Sequence, residues 1–557
     1  MRYGQIRQYD IANGEGIRTS IFVTGCTHCC YNCFNEEYQD FNAGKEWTQA
    51  ETDLVVSYVK DPNCSGLTLL GGEPFQNVQG LLPVVRAVRA AAPEKKIWAY
   101  SGYEIDDILE DELRSALLQE IDILVDGRFI DELRDPALRI SNGVSMAFDK
   151  RLIGLIIIVG FIAGLVGAFY THLLHGIQQF VYHYSAADHM SFGAAVARVS
   201  PLERLIPLVI CGVVGGVGWF LIHRYGKGVV DIKAAVSGKM DMHPITTLLH
   251  ATLQIITVGI GSPLGREVAP REASAGITTF LVDHFEIKRE DRQLLIACAA
   301  GAGLAAVYNS PLSAAIFTLE TLLLTWNMRA MSAALVCCGL ATFVTRQAGV
   351  GDVIQYTMVQ PSLGSHYVEF SIALGAIVAV GVVLFNITQS KLPAIHRSSP
   401  VMIPISIVAF TLVGVMAMYF PEILGNGKAG NELTFTNEIT WTYALGLFGT
   451  KWVAVLLALA AGAYGGRITP SMMLGSTLAI VFGTAWSIAV APISLGMAAF
   501  VGAVAFLGLA QKMPMTSCVF MLELSRFSVE MLFPIALTMG TALMVEQMIQ
   551  SKLNSSK

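Results

Sequence analysis

Charge is scarce in this chain. Only 14% of the 557 residues are Asp, Glu, Lys or Arg, against about 25% in an ordinary soluble protein, and the shortage excludes a wholly soluble fold. It is also uneven: residues 1–150 hold 14 of the 37 basic and 24 of the 43 acidic residues, a net −10, while residues 151–557 carry a net +4. Within the first 150 residues no apolar run approaches the ~20 residues that cross a bilayer. The first thirty residues also lack the apolar core of a signal peptide, so the front segment is expected to stay in the cytosol. No nucleic-acid partner is expected.

A second cysteine pair is missing too. Cys26, Cys29, Cys30 and Cys33 crowd into eight residues, Cys64 stands apart, and Cys211, Cys298, Cys337, Cys338 and Cys518 lie scattered in apolar surroundings, where cysteine behaves as a small hydrophobe. Four close thiols in a cytosolic segment point to metal rather than disulfides. Structural zinc sites bring two separated pairs, so a zinc knot is the weaker reading. Three thiolates from one loop (Cys26, Cys30, Cys33) suit a cubane cluster that leaves one iron open to a small molecule. Cys29 falls outside that spacing and is read as a bystander.

Around the cysteines the front segment alternates strands (20–25, 67–70, 96–100, 121–125) with helical stretches (81–92, 105–118). This predicts a parallel α/β sheet, a partial barrel, with function at the C-terminal strand ends where Cys26 to Cys33 and Gly71-Gly72-Glu73 would lie. Asn13-Gly14-Glu15-Gly16-Ile17-Arg18, Phe22 to Cys26, His28, Cys30, Asn32 to Asn35, Gly71 to Pro74, Trp98, Ser101-Gly102-Tyr103 and Val125 to Phe129 together resemble the activating proteins of anaerobic ribonucleoside-triphosphate reductase, over about residues 1–139. The resemblance implies a radical S-adenosylmethionine enzyme: Cys26, Cys30 and Cys33 would hold a four-iron, four-sulfur cluster, and Asn32, Phe34, Gly71, Gly72 and Glu73 would bind S-adenosylmethionine. The partner it implies is anaerobic ribonucleotide reductase or another glycyl-radical enzyme. The family's ending is replaced by Arg139 to Ser145, and Met146 then opens a new apolar stretch.

Beyond residue 150 apolar runs dominate: 152–170, 205–222, 370–385, 401–419 and 452–464 are candidate spanning helices in a lipid bilayer. An internal repeat lies among them. Gly265-Arg266-Glu267-Val268-Ala269-Pro270 precedes Pro311 to Glu320 by much the same distance as Gly466-Arg467-Ile468-Thr469-Pro470 precedes Pro514 to Glu523: Arg to Pro is 45 residues in one copy and 47 in the other, and Pro to Glu is nine in both. Duplicated halves with Gly/Pro-interrupted helices place a binding site near the bilayer midplane. Helix N-termini facing a shared cavity favour an anion.

These residues resemble the ClC chloride channel and transporter family over about residues 151–550. Gly226-Lys227-Gly228-Val229-Val230, Gly265-Arg266-Glu267, Asn309-Ser310-Pro311-Leu312 and Gly465 to Pro470 fall where that family has its loops. The resemblance implies an all-α polytopic membrane domain with two repeated halves, a homodimer, and Glu267 as a gating carboxylate. Lys227, Gly228, Arg266, Arg467, Ile468 and Phe527 would line the anion pathway. Pairing of Glu267 with Arg266 or Arg271 is the competing reading, and Glu320 and Glu523 read as structural hydrogen-bonders. Lys227 stands in place of a serine, with its ammonium either in the pathway or reaching to water. Ile468 stands in place of a phenylalanine, and the tyrosine expected after Glu523 is absent, Phe527 being the nearest aromatic.

Thr321 occupies the position where proton-coupled members carry a second glutamate, which points to a passive channel or a weakly coupled exchanger. Chloride is the expected ion and fluoride the alternative. The histidines His172, His175, His183 and His189 read as solvated loop residues rather than metal ligands, and the Met472-Met473 and Met513 to Met515 runs as packing. The expected organisation is residues 1–140, a junction at 141–150, a membrane domain at 151–550 and a polar tail at 551–557. Two alternatives stay open: two neighbouring genes joined in one frame, and a proton-coupled exchanger with a non-catalytic front domain.

Overall fold

The computed structural model describes residues 1–33, 35–128, 150–184, 190–285, 287–350, 355–357, 365–393, 395–525 and 529–555. The chain divides into two compact units, Met1–Ser145 and Met146–Lys557.

In the front unit six strands form one sheet in the order β3-β1-β2-β4-β5-β6. They are β1 (Arg2–Asp10), β2 (Arg18–Val23), β3 (Lys45–Glu46), β4 (Gly66–Gly71), β5 (Lys96–Tyr100) and β6 (Ile123–Val125). From β2 to β6 the pairing is parallel, as the alternating pattern predicted. Two antiparallel strands, β1 and β3, extend the β2 edge. The sheet is thus mixed and open, and it does not close into a barrel. β1 escapes the sequence reading because Arg-Tyr-Gly-Gln-Ile-Arg-Gln-Tyr-Asp is half-exposed and lacks an apolar run.

The helices of this unit are α1 (Gln49–Val59), α2 (Val78–Ala91), α3 (Ile105–Leu109) and α4 (Glu112–Leu118). The predicted helix at 105–118 is two, because Asp111 caps a fresh start by accepting from the Arg114 amide; α1 opens on a Thr48/Glu51 capping box. Arg18 is buried and ties three strands together, donating to Thr68 Oγ1 at 2.7 Å, Leu67 O at 2.8 Å and Lys96 O at 2.6 Å.

Among the described residues the second unit is built from helices. It runs α5 (Lys150–Tyr182), α6 (Phe192–Arg198), α7 (Pro201–Tyr225), α8 (Ile232–Val236), α9 (Pro244–Ile260), α10 (Val268–Val282), α11 (Arg289–Tyr308), α12 (Pro311–Phe317) and α13 (Met328–Gln347). It continues with α14 (Tyr367–Ser390), α15 (Met402–Tyr419), α16 (Lys428–Phe435), α17 (Trp441–Ala460), α18 (Ile468–Ala489), α19 (Leu495–Ala510), α20 (Pro514–Ser525) and α21 (Leu532–Ser555). Among the described residues eight helices are long and apolar enough to span a bilayer. Five correspond to the runs read from sequence; α13, α18 and α21 are additional, since small and polar residues dilute them. Met472 and Met473 are fully buried in the core, as packing requires. α12 of the first half packs against α20 of the second, so the repeated segments meet.

Candidate functional site

The front site assembles where parallel strands end. β2 runs into Gly25 and Cys26, β4 into Gly72 and Glu73, and β5 into Ser101 and Gly102. Backbone bonds lock these ends together: the Gly72 amide donates to Val23 O at 2.7 Å, Glu73 to Gly25 O at 2.8 Å, and Cys26 to Gln39 O at 2.9 Å. The paired glycines are required by space. A Cβ on Gly72 would lie 2.6 Å from Gly25 O, and Gly71 holds φ +104° with Val23 O 2.7 Å from where its Cβ would be.

Glu73 is buried, and its carboxylate is already committed. It accepts from the Phe75 amide (2.9 Å), Ser101 Oγ (2.9 Å) and the Gly102 amide (2.7 Å), and His28 Nε2 lies 3.2 Å away. The glutamate therefore ties the end of β4 to the end of β5, with His28 of the cysteine loop set against it. Cys26, Cys30 and Cys33 are half-buried and free of disulfides, whereas Cys29 is exposed and sits at φ 49°. Asn32 is exposed at φ 53°, and Phe34 lies outside the described residues. Burial pushes the Cys26 thiol up, so its thiolate depends on a cation beside it. Three reduced thiols on one loop suit an iron–sulfur cluster. Among the described residues no three His, Cys, Asp or Glu groups are placed to hold a single metal ion.

In the membrane unit the two glycine loops meet. Gly265 and Gly466 form an antiparallel bridge, with N–H to O distances of 2.6 and 2.8 Å in the two directions. Glu267, just ahead of α10, is fully buried. Its Oε1 accepts from the Ile468 amide at 2.8 Å, the first residue of α18, and its Oε2 accepts from Tyr308 Oη at 3.2 Å. Tyr308 Oη also lies 2.8 Å from Thr469 Oγ1. The loops leave the carboxylate a fitted seat, since a Cβ on Gly466 would overlap Glu267 Oε1. The orphan amides and positive end of α18 stabilise negative charge there.

Other sequence candidates are placed elsewhere. Arg266 donates to Val307 O at 3.4 Å and lines a separate cavity of about 670 Å³. Arg467 donates to Gln389 Oε1 at 2.6 Å, and Arg271 lies over the Phe317 ring at 4.5 Å. Among the described residues no arginine comes within ion-pair distance of Glu267, although Arg271 and Arg467 act on its charge from farther off. Lys227 and Gly228 are exposed, with the Lys227 amide donating to Thr246 Oγ1 at 3.2 Å. Phe527 lies outside the described residues. Tyr308 is absent from the sequence candidates, although it directly precedes the Asn309-Ser310-Pro311 motif, and Thr469 enters them only as part of the Gly466 to Pro470 motif. His172 Nε2 lies 3.2 Å from Ala348 O, and His189 lies outside the described residues.

Glu320 and Glu523 cap each other's repeat. Glu523 accepts from the Leu312 and Ser313 amides at 2.9 and 2.8 Å, at the start of α12. Glu320, carried on the π-helical turn Thr318–Leu323, accepts from the Met515 and Thr516 amides at 2.9 and 2.8 Å, at the start of α20. Glu320→Ala or Glu523→Ala is expected to cost about 1–2 kcal/mol by exposing two unpaired helix-start amides. Thermal unfolding in detergent, followed by intrinsic fluorescence, reads this, and the Gln variants should lose less. An unchanged midpoint for both alanine variants would deny the caps a structural role.

The comparisons agree with this division. A family model described as "Voltage gated chloride channel" matches residues 214–547, and one described as "4Fe-4S single cluster domain" matches residues 12–145. The chain is 41% identical over 142 residues to an anaerobic ribonucleoside-triphosphate reductase-activating protein of Haemophilus influenzae, covering 25% of this chain and 90% of that protein. It is 25% identical over 415 residues to the H(+)/Cl(-) exchange transporter ClcA of Vibrio parahaemolyticus, covering 70% of this chain and 85% of that one. The crystal structure of a slow cyanobacterial Cl-/H+ antiporter superposes with a TM-score of 0.64 at 19% identity, over 72% of this chain and 96% of that one. The chain therefore belongs to the voltage gated chloride channel family through its membrane unit, and to the family of anaerobic ribonucleoside-triphosphate reductase-activating proteins, with their 4Fe-4S domain, through its front unit.

Proposed function

We propose that the membrane unit moves small monovalent anions, chloride first, across a lipid bilayer, with Glu267 as the gate. The observation that carries this is the Ile468 N–H to Glu267 Oε1 bond between the two repeated halves. A carboxylate buried among helix starts is costly unless it has a function or a partner, and here it occupies the volume where backbone N–H and Tyr308 O–H would otherwise face an anion. When the side chain is protonated or displaced, Ile468 N–H and Tyr308 O–H become donors to the ion. Lys227 and Gly228 would act at the water-exposed approach, and Arg266 would attract anions into the adjoining cavity. The same unit would pair as a homodimer in the membrane.

For the front unit the reading is glycyl-radical activation. Cys26, Cys30 and Cys33 would hold the four-iron, four-sulfur cluster, and Asn32, Phe34, Gly71 and Gly72 would contact S-adenosylmethionine. Glu73 would act by holding the cysteine loop, because its oxygens are occupied. When bound, the cluster and S-adenosylmethionine supply one-electron cleavage to an adenosyl radical. The protein acted on would be an anaerobic reductase or a related glycyl-radical enzyme. Reduced thiols fit a cytosolic front unit, spanning about residues 1–140 and joined through 141–150 to the membrane domain at 151–550, with 551–557 as a polar tail.

The full chain in chloride-loaded liposomes tests the transport reading. Wild type is expected to release chloride, and Tyr308→Phe, which removes one of the two bonds on the ionised Glu267, to release it about tenfold faster, in line with the ~1.5 kcal/mol lower end for a bond to a charged group. A pH electrode in the same assay separates channel from exchanger. No chloride release by wild type would end the transport reading.

A further inference from the structure

A second buried titratable cluster lies in the membrane unit, apart from Glu267. His250 on α9 is fully buried, and its Nδ1 lies 2.8 Å from Glu272 Oε2 on α10. Gln254 Nε2, one turn along α9, lies 2.7 Å from the same carboxylate oxygen and 3.0 Å from His250 Nδ1. Two lone pairs do not face each other at 2.8 Å, so a proton sits on the line between His250 and Glu272. The other ring nitrogen, His250 Nε2, is buried without a hydrogen-bond partner among the described residues. It is the nitrogen free to take up a further proton.

The aromatic neighbour of this ring is Tyr464. The two rings meet edge to face at 4.3 Å and 81°. The Arg397 guanidinium lies 4.2 Å from the Tyr464 centroid, and Tyr464 Oη lies 3.2 Å from His223 Nε2. His223 is half-buried near the end of α7, followed by exposed Arg224 and Tyr225, so Tyr464 lies between the cluster and the exposed end of α7. In sequence Tyr464 is two residues ahead of Gly466, which pairs with Gly265, and four ahead of Ile468, which holds Glu267.

We propose that His250 and Glu272 form a proton-binding site of the membrane unit, coupled through Tyr464 to the glycine loop that seats Glu267. The proton taken up at His250 Nε2 turns the pair from a carboxylate beside a neutral ring into an imidazolium–carboxylate pair. The imidazolium and Arg397 then share one aromatic ring, and their like charges shift Tyr464. Among the described residues, the other titratable groups around α9 and its α10 partner include Tyr170 of α5, whose Oη lies 3.2 Å from Thr252 Oγ1, Cys211 of α7, whose thiol donates to Thr257 O, Arg271 of α10 beside Glu272, and Asp231, which acts on Arg271. This inference rests on the anion-transport reading for its consequence, though not for the site itself.

Two measurements on the full chain in liposomes test it. Chloride efflux followed across a pH series is expected to lose at least threefold of its pH dependence in Glu272→Gln and in His250→Gln. Tyr464→Leu, which removes the shared ring, should uncouple efflux from pH in the same direction. The second measurement needs no transport: the infrared difference spectrum between the two ends of that series should contain imidazole and carboxylate bands that Glu272→Gln and His250→Gln each remove. If wild type moves no chloride but these bands are present, the transport reading fails and the site stands. Wild-type pH profiles and unchanged bands in both variants would overturn the site, as would bands that survive in Glu272→Gln alone should His250→Gln not fold.

Discussion

Glu267→Ala is expected to raise chloride efflux at alkaline pH by about tenfold or more and to flatten its rise on acidification. The carboxylate is held by two donors, Ile468 N–H and Tyr308 O–H. Bonds to an ionised group contribute about 1.5–3 kcal/mol each, and ~1.4 kcal/mol is a factor of ten in population. Acid should favour flux in wild type because a neutral carboxyl would give up that charge-assisted hold, and removing the carboxylate should make the open arrangement independent of pH. Glu267→Gln keeps the size and loses the charge, so it should fall between wild type and Glu267→Ala. The relevant measurement is initial efflux from liposomes across a pH series. Equal rates and equal pH responses in wild type and Glu267→Ala would remove Glu267 as the gate while leaving the helix-start geometry intact.

The second large effect concerns iron. Anaerobically purified and reconstituted protein is expected to bind ~4 iron ions per chain and to absorb visible light, as a cubane does. Cys26→Ala, Cys30→Ala and Cys33→Ala should each lose most of the iron and the colour, because the loop offers three thiolates and the cluster needs all of them. Cys29→Ala should keep both, since that side chain is exposed and stands on a left-handed residue of the loop. Glu73→Gln should weaken iron retention, because the carboxylate bonds Phe75 and Gly102 on one side and meets His28 of the cysteine loop on the other. Iron content and absorbance measured together decide this. A Cys29→Ala variant that loses its iron, or a Cys30→Ala variant that keeps it, would require a different ligand set.

Much of this could be read before any coordinates. Apolar runs gave five of the spanning helices because a segment buried in lipid must be apolar along its length, and the repeated Arg-to-Pro and Pro-to-Glu spacings disclosed the two halves. The spans α13, α18 and α21 were less legible. Where helices pack on one another, Gly, Ala, Ser and Thr replace large apolar residues, as Ala333, Ala334, Ser476 and Thr477 do here. In the front unit every central strand was visible from its apolar core. The half-exposed edge strand β1 was not, because it lacks an apolar run, and with it the mixed character of the sheet went unseen.

By itself, the sequence determined which chemistry each part could attempt: three thiols within one loop, a Gly-Gly-Glu strand end, and a lone acidic residue between helix breakers in an apolar stretch. Those are local properties, fixed by residue type and spacing. Tertiary structure alone decided what each group touches. It gave Arg266 the Val307 carbonyl and Arg467 the Gln389 amide as partners, and put Tyr308 and Ile468 on the two oxygens of Glu267. It exchanged Glu320 and Glu523 between the halves, filled the oxygens of Glu73, and joined His250 to Glu272. The reason is directional: hydrogen bonds between residues 41 or 201 positions apart depend on where packed helices end, and no local pattern encodes that.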